Sequence, residues 1–239
     1  MLDLFDYRIV QFVNGMAHRS GTMDLIVVSV LSINLLKGAV PITMLYWAWF
    51  QKDQDQVRRR TIFTGTLVAA IITLSIGRLL QLFLPFRPRP LYNPALSLQA
   101  PKFLPNNVLE DWSSMPSDTA MLFAALTLGI WMISRPLGVL SLLHLLVFVV
   151  FAKLYAGLHY PSNLLVGAIL GFGTSWIVLK SPVPERLYNF LKTWQSKAPG
   201  LFYSGFFLVT LELANMFEGV RSLAYVMKFA FHGFLRVIH

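Results

Sequence analysis

Cysteine is absent from the 239 residues. Its absence excludes disulfides, thiolate metal sites and a cysteine nucleophile, and leaves the compartment open. Charge is scarce as well: Asp, Glu, Lys and Arg make up 13% of the chain, about half the share usual in a soluble domain. Acidic residues are the rarer sign, 11 against 20 basic, for a formal net charge of +9. The basic residues are scattered among segments that flank apolar runs. That pattern speaks against nucleic acid as a partner and for orientation and anchoring against anionic lipid. Internal repeats and low-complexity linkers are missing. Residues 1–20 lack the continuous apolar core of a cleavable signal peptide.

What is abundant is apolar surface. Hydrophobic residues reach 56% and mean hydropathy is +0.60, more than a soluble fold of this size can hide. Runs approaching the roughly 20 residues needed to cross a bilayer lie at 24–50, 61–84, 117–133, 137–155 and 162–179, with a weaker sixth at 201–217 interrupted by Glu212. The expected fold is all-α: a polytopic membrane bundle of about six spans, where counting the short 117–133 run as a full span rests on the family resemblance given below. Leu2, Phe5, Ile9, Phe12 and Met16 recur at helical spacing and predict an amphipathic N-terminal helix on the membrane surface. The expected organisation is a core over 1–180 and a C-terminal helical appendage over 181–239, comprising one further span and an interfacial helix.

Lys and Arg in short loops set orientation. Lys52, Arg58, Arg59 and Arg60 mark one cytoplasmic loop, and Lys180, Arg186, Lys192 and Lys197 another; Arg135 agrees with both. Alternating spans then deliver "PFRPRP", "SSMPSDTA" and "KLYAGLHYPSN" together to the outer face. Arg87, Arg89, Ser117, Lys153 and His159 thus come from distant parts of the chain to one membrane depth. Cations near the hydrocarbon edge are costly unless they reach water or hold an anion. Pro116 and Pro161 each open an apolar helix, whose free amides would favour the same anion. The chemistry implied is capture of a lipid phosphate.

Three stretches in order, Leu82 to Arg89-Pro90, Pro116-Ser117-x-Thr119, and Lys153 through His159 to Asn163, resemble the signature of the phosphatidic acid phosphatase type 2 superfamily. That signature reads Lys-x6-Arg-Pro, Pro-Ser-x-His and Arg-x5-His-x3-Asp. The resemblance covers roughly residues 24–180. It implies a six-helix bundle in the plasma (bacterial inner) membrane, with a site on the outer, periplasmic face that dephosphorylates lipid phosphates or diphosphates without a metal or other cofactor. It assigns His159 as the nucleophile that becomes phosphohistidine, with Arg89, Lys153 and Ser117 holding the phosphate.

The departures are Leu82 for the lysine, Thr119 for the general-acid histidine, Lys153 for the arginine and Asn163 for the orienting aspartate. Lysine keeps the charge and loses the two-pronged grip. An Asp-to-Asn change in a serine protease triad costs about 10⁴ in rate, and general acid catalysis contributes about 10² to 10⁴. A diphosphate tolerates loss of the acid because its leaving group is already a stable anion, so a polyprenyl-type diphosphate is favoured over phosphatidic acid. Asp118 and Glu110 are alternative proton sources.

Arg78 lies one turn before Leu82 on the same face. Two readings stand for it: replacement of the missing lysine, or pairing with an acid such as Glu212. For the whole chain, the alternative to a phosphatase with a degenerate site is a non-catalytic lipid-phosphate binder or a membrane partner of envelope or polysaccharide machinery. Ser113 and Ser114 read as helix caps, His144 as a partner for another helix, and Tyr160 as an interfacial anchor.

Overall fold

The apolar runs fold into helices packed lengthwise against one another. In the computed structural model, which describes residues 2–218, the elements are α1 (Leu2–Asn14), α2 (Gly21–Ser32), α3 (Asn34–Phe50), α4 (Gln56–Phe83) and α5 (Asp118–Ile133). They are followed by α6 (Arg135–Tyr155), whose stretch Leu145–Phe151 is π-helical, then α7 (Pro161–Lys180), α8 (Val183–Lys197) and α9 (Pro199–Ala214). No strand occurs among the described residues.

Helices α4, α6 and α7 are each long and apolar enough to cross a membrane; α2 and α3 count as a fourth crossing if the pair is one broken span. Helices α5 and α9 are equally apolar but only 16 residues each. The structure therefore supports three or four crossings by length, fewer than the six expected from sequence. The expected single span over 24–50 is in fact bent by 69° at Ile33. There the backbone turns extended (φ −102°, ψ 93°) between two polar residues, Ser32 and Asn34.

Helix α5 is the axis of the bundle, with nearly every side chain from Asp118 to Ile130 buried. It runs antiparallel to α4: Arg58 donates to the Met132 carbonyl at one end (2.9 Å), while Gln81 donates to the Pro116 carbonyl at the other (2.8 Å). It runs parallel to α7, where a Cβ on Gly171 would come within 2.1 Å of the Met121 carbonyl oxygen. Only glycine permits that approach, the usual device of membrane helix interfaces. These directions bring the end of α4, the start of α5, the end of α6 and the start of α7 to one end of the bundle.

The C-terminal helices join the same core. Phe202, Phe206, Leu213 and Ala214 cluster with Leu45, Trp49 and Phe63, and a Cβ on Gly38 would meet the Ala214 carbonyl oxygen at 2.1 Å. Helix α1 turns Asp6, Val10 and Asn14 inward, whereas Leu4, Phe5 and Phe12 face outward. Of its apolar stripe, Phe5 and Phe12 stay exposed while Ile9 and Met16 pack against the bundle, and its polar residues Asp6 and Asn14 pack on the functional end.

Candidate functional site

His159 follows the last turn of α6 and precedes Pro161, the first residue of α7. The short link leaves its ring 1% exposed, between three segments. Nδ1 lies 2.8 Å from the Ser114 carbonyl oxygen. A carbonyl only accepts, so Nδ1 carries the proton and Nε2 presents its lone pair. That lone pair faces two donors, Arg89 Nη1 at 3.0 Å and Lys153 Nζ at 3.2 Å. Burial holds the ring well below its ordinary value of 6.5, and the charges of Lys153 and Arg89 push the same way, against the Ser114 hydrogen bond. The imidazole is neutral at physiological pH, the form a nucleophile requires.

Arg89 is fixed by the carbonyls of Leu109 (2.9 Å) and Leu158 (2.8 Å). Burial lowers its guanidinium to about 10, with Asp118 acting the other way, so it stays cationic. Lys153 spends its remaining donors on Thr119 Oγ1 (2.9 Å) and Ser117 Oγ (3.4 Å). Arg78 pairs with Asp118 at 2.9 Å and lies over the Trp112 ring. Together they line a cavity of about 410 Å³ whose wall includes His159, Arg89, Lys153, Arg78, Asp118 and Thr119. Both readings for Arg78 find a counterpart: it pairs with an acid, Asp118 rather than Glu212, and it also lines the cavity, while Leu82 itself is exposed.

Several sequence expectations take a different form. Arg87 is turned away from the cavity, to Asp6 (2.8 Å), Ser162 Oγ (3.0 Å) and Asn163 Oδ1 (2.5 Å), with its guanidinium over Tyr160. The reason is local. Arg89 has φ −72° and ψ 149°, polyproline II geometry with three residues per turn, so side chains two apart in "RPR" diverge by about 120°. Asn163 does not bond the histidine ring. Its Nδ2 donates to the Ser114 carbonyl (3.0 Å) and hydroxyl (2.9 Å), so amide and imidazole share one acceptor.

Ser117 caps α5, accepting from the Ala120 amide, and steadies Lys153. The amides expected to be free at the two helix starts are largely taken. The Thr119 amide goes to Asp118 Oδ1 (2.7 Å), and the Ser162 amide goes to Asp6 Oδ1 (2.9 Å). Ser114 is no cap: it is the acceptor that sets the His159 tautomer. Tyr160 is buried beneath Arg87. His144 stacks on Phe123 and Phe148, consistent with a helix-packing role.

Sequence reasoning missed Asp6, Lys37 and the Ser114 carbonyl. Asp6 is fully buried and holds Arg87 and the start of α7. Lys37 is 3% exposed and lines the cavity. A charge inside an apolar run was the available signal for Lys37.

No curated protein and no solved structure matches the chain. The sequence model of the PAP2 superfamily matches residues 62–186, a segment that begins in α4, ends in α8 and contains Arg78, Arg89, Thr119, Lys153, His159 and Asn163. That match spans just over half of the chain: the protein belongs to the PAP2 superfamily.

Proposed function

We propose that the protein is a membrane lipid phosphatase that hydrolyses a lipid diphosphate, of polyprenyl type, through a phosphohistidine on His159. The observation that carries this reading is the His159 ring, neutral and tautomerically fixed by Ser114, with Nε2 aimed between two cations in a polar cavity. On substrate binding, Arg89 and Lys153 shift their N–H donors from Nε2 to the phosphoryl oxygens, which frees the lone pair. Nε2 then forms a bond to the terminal phosphorus as the bridging P–O bond breaks, and the electron pair leaves with the lipid monophosphate. Water attacks the phosphorus in a second step, releasing inorganic phosphate and restoring the imidazole.

The site is degenerate at its helpers. Thr119 Oγ1 accepts from Lys153 and donates to Asp118; a hydroxyl so placed supplies no proton near neutral pH. A phosphate leaving group tolerates that loss, whereas an alkoxide does not. Basic loops at 52–60 and 180–197 orient the bundle with the site outward, periplasmic in a bacterial inner membrane. Helices α5 and α9 complete six crossings in this reading.

A second reading follows from the same two helpers, Thr119 and Asn163: a site that binds lipid phosphate without turnover, as a partner of other membrane machinery. Phosphate release from purified protein separates the two. A polyprenyl diphosphate should be hydrolysed faster than its monophosphate or phosphatidic acid, and His159→Ala should abolish release. Equal release by parent and His159→Ala would reject the nucleophile; binding without release from any substrate would favour the second reading.

A further inference from the structure

Lys37 is the one charged residue between Asp24 and Lys52 in the sequence. It sits on α3 one turn after the Ile33 break, 3% exposed. Among the described residues its Nζ has one hydrogen-bond partner, the Leu31 carbonyl at 2.8 Å. That carbonyl is orphaned by the break, since a continuous helix would pair it with an amide four residues on. An ammonium has three donors, and capping one carbonyl does not require a buried full charge in a membrane helix.

The remaining capacity of Lys37 faces the cavity that holds His159. Four cationic side chains, Lys37, Arg78, Arg89 and Lys153, line it against two carboxylates, Asp118 and Glu218. Arg78 is committed to Asp118, and Arg89 and Lys153 both bond His159 Nε2. Lys37 comes from a different wall and is held there by helix contact: Gly38 lets the backbone of α9 approach at Ala214. One phosphoryl group at Nε2 uses Arg89 and Lys153; Lys37 is then left for a second anionic group.

We propose that Lys37 forms a second-phosphate subsite, placed by the break between α2 and α3, which selects a lipid diphosphate over the corresponding monophosphate. This inference rests on the phosphate-binding reading of the His159 cavity. It adds a specificity residue contributed from outside the matched family region, residues 62–186.

The test measures equilibrium binding of farnesyl diphosphate and farnesyl monophosphate to full-length protein in detergent, with His159→Ala in every sample to stop turnover. Adding Lys37→Met should weaken the diphosphate about tenfold or more, the size of one lost charge-assisted contact, and leave the monophosphate within about twofold. Lys37→Arg should recover most of the loss. Retained monophosphate binding by Lys37→Met also shows that the cavity is intact. Equal weakening of both ligands, or of neither, overturns the subsite while leaving the cavity reading in place. Failure of the Lys37-containing protein to bind either ligand overturns both. Should Lys37→Met not fold, Lys37→Gln and the arginine variant carry the same comparison, and a diphosphate preference equal in all three rejects the proposal.

Discussion

The two nitrogens of the His159 ring look onto different kinds of surroundings. On the Nδ1 side, polar groups form a connected and satisfied chain: Asp6 with Arg87, Arg87 with Asn163, Asn163 with Ser114, and the Ser114 carbonyl with the ring. On the Nε2 side, cations outnumber carboxylates and a cavity of about 410 Å³ is open beside them. A satisfied polar network fixes geometry; an excess of buried charge calls for a ligand. Positioning and binding are thus separable here, on opposite edges of one imidazole.

Arg89→Ala should break the Nε2 side with the largest effect. It removes a charge-assisted contact worth about 1.5 to 3 kcal/mol and frees the Leu109 and Leu158 carbonyls that hold the guanidinium. Affinity for a lipid diphosphate should fall about tenfold to a hundredfold. Equilibrium binding checks this, and an unchanged affinity would remove Arg89 from the pocket.

The Nδ1 side should fail differently. Asp6→Ala deletes the carboxylate that receives Arg87 and both donors of Ser162, loosening Asn163 and through it Ser114. Turnover should drop about tenfold while lipid-phosphate affinity stays within about twofold, a split seen in kcat against KM and reflecting lost orientation. Asn163→Asp, which restores the family residue, should lower turnover further rather than rescue it. It would set a carboxylate oxygen where Nδ2 now donates to the Ser114 carbonyl at 3.0 Å. A gain in activity would show that the ring reorients to meet the new acid.

A smaller effect concerns pH. The proposed nucleophile acts as the neutral imidazole, and burial with the Lys153 and Arg89 charges holds its pKa well below 6.5. Lowering pH through 6.5 therefore leaves the active form populated, and the acid limb of kcat/KM should fall below the ordinary histidine range. Lys153→Met, by removing one of the two charges, should move that limb upward. A parental limb centred at 6.5 would mean the ring is more solvated than its burial implies.

Much of this site was legible in the sequence. The order of Arg89, Ser117, Thr119, Lys153, His159 and Asn163, with alternating spans, was enough to gather them at one end of a helical bundle. What escaped was carried by backbone or by shape. The Ser114 carbonyl has no side-chain signature. Arg87 and Arg89 look equivalent on paper and diverge because polyproline geometry turns every residue by about 120°. Asp6 sits on a helix whose apolar stripe, with Phe5 and Phe12 exposed, drew the reading to its lipid face and away from its polar one. Lys37 lies inside the run 24–50, which reads as one span; the 69° bend one turn before it falls at Ser32, Ile33 and Asn34, whose polarity alone gives no angle, and Lys37 shares a cavity wall with His159.

The central claim is that His159 Nε2 bonds to phosphorus. Rapid quenching of the full-length protein with a polyprenyl diphosphate labelled in its terminal phosphate tests it most directly. Protein-bound label should appear that is acid-labile and stable to base, as expected of phosphohistidine, and it should be absent from His159→Ala. Steady phosphate release by the parent with no such label, or the same label on His159→Ala, would contradict it.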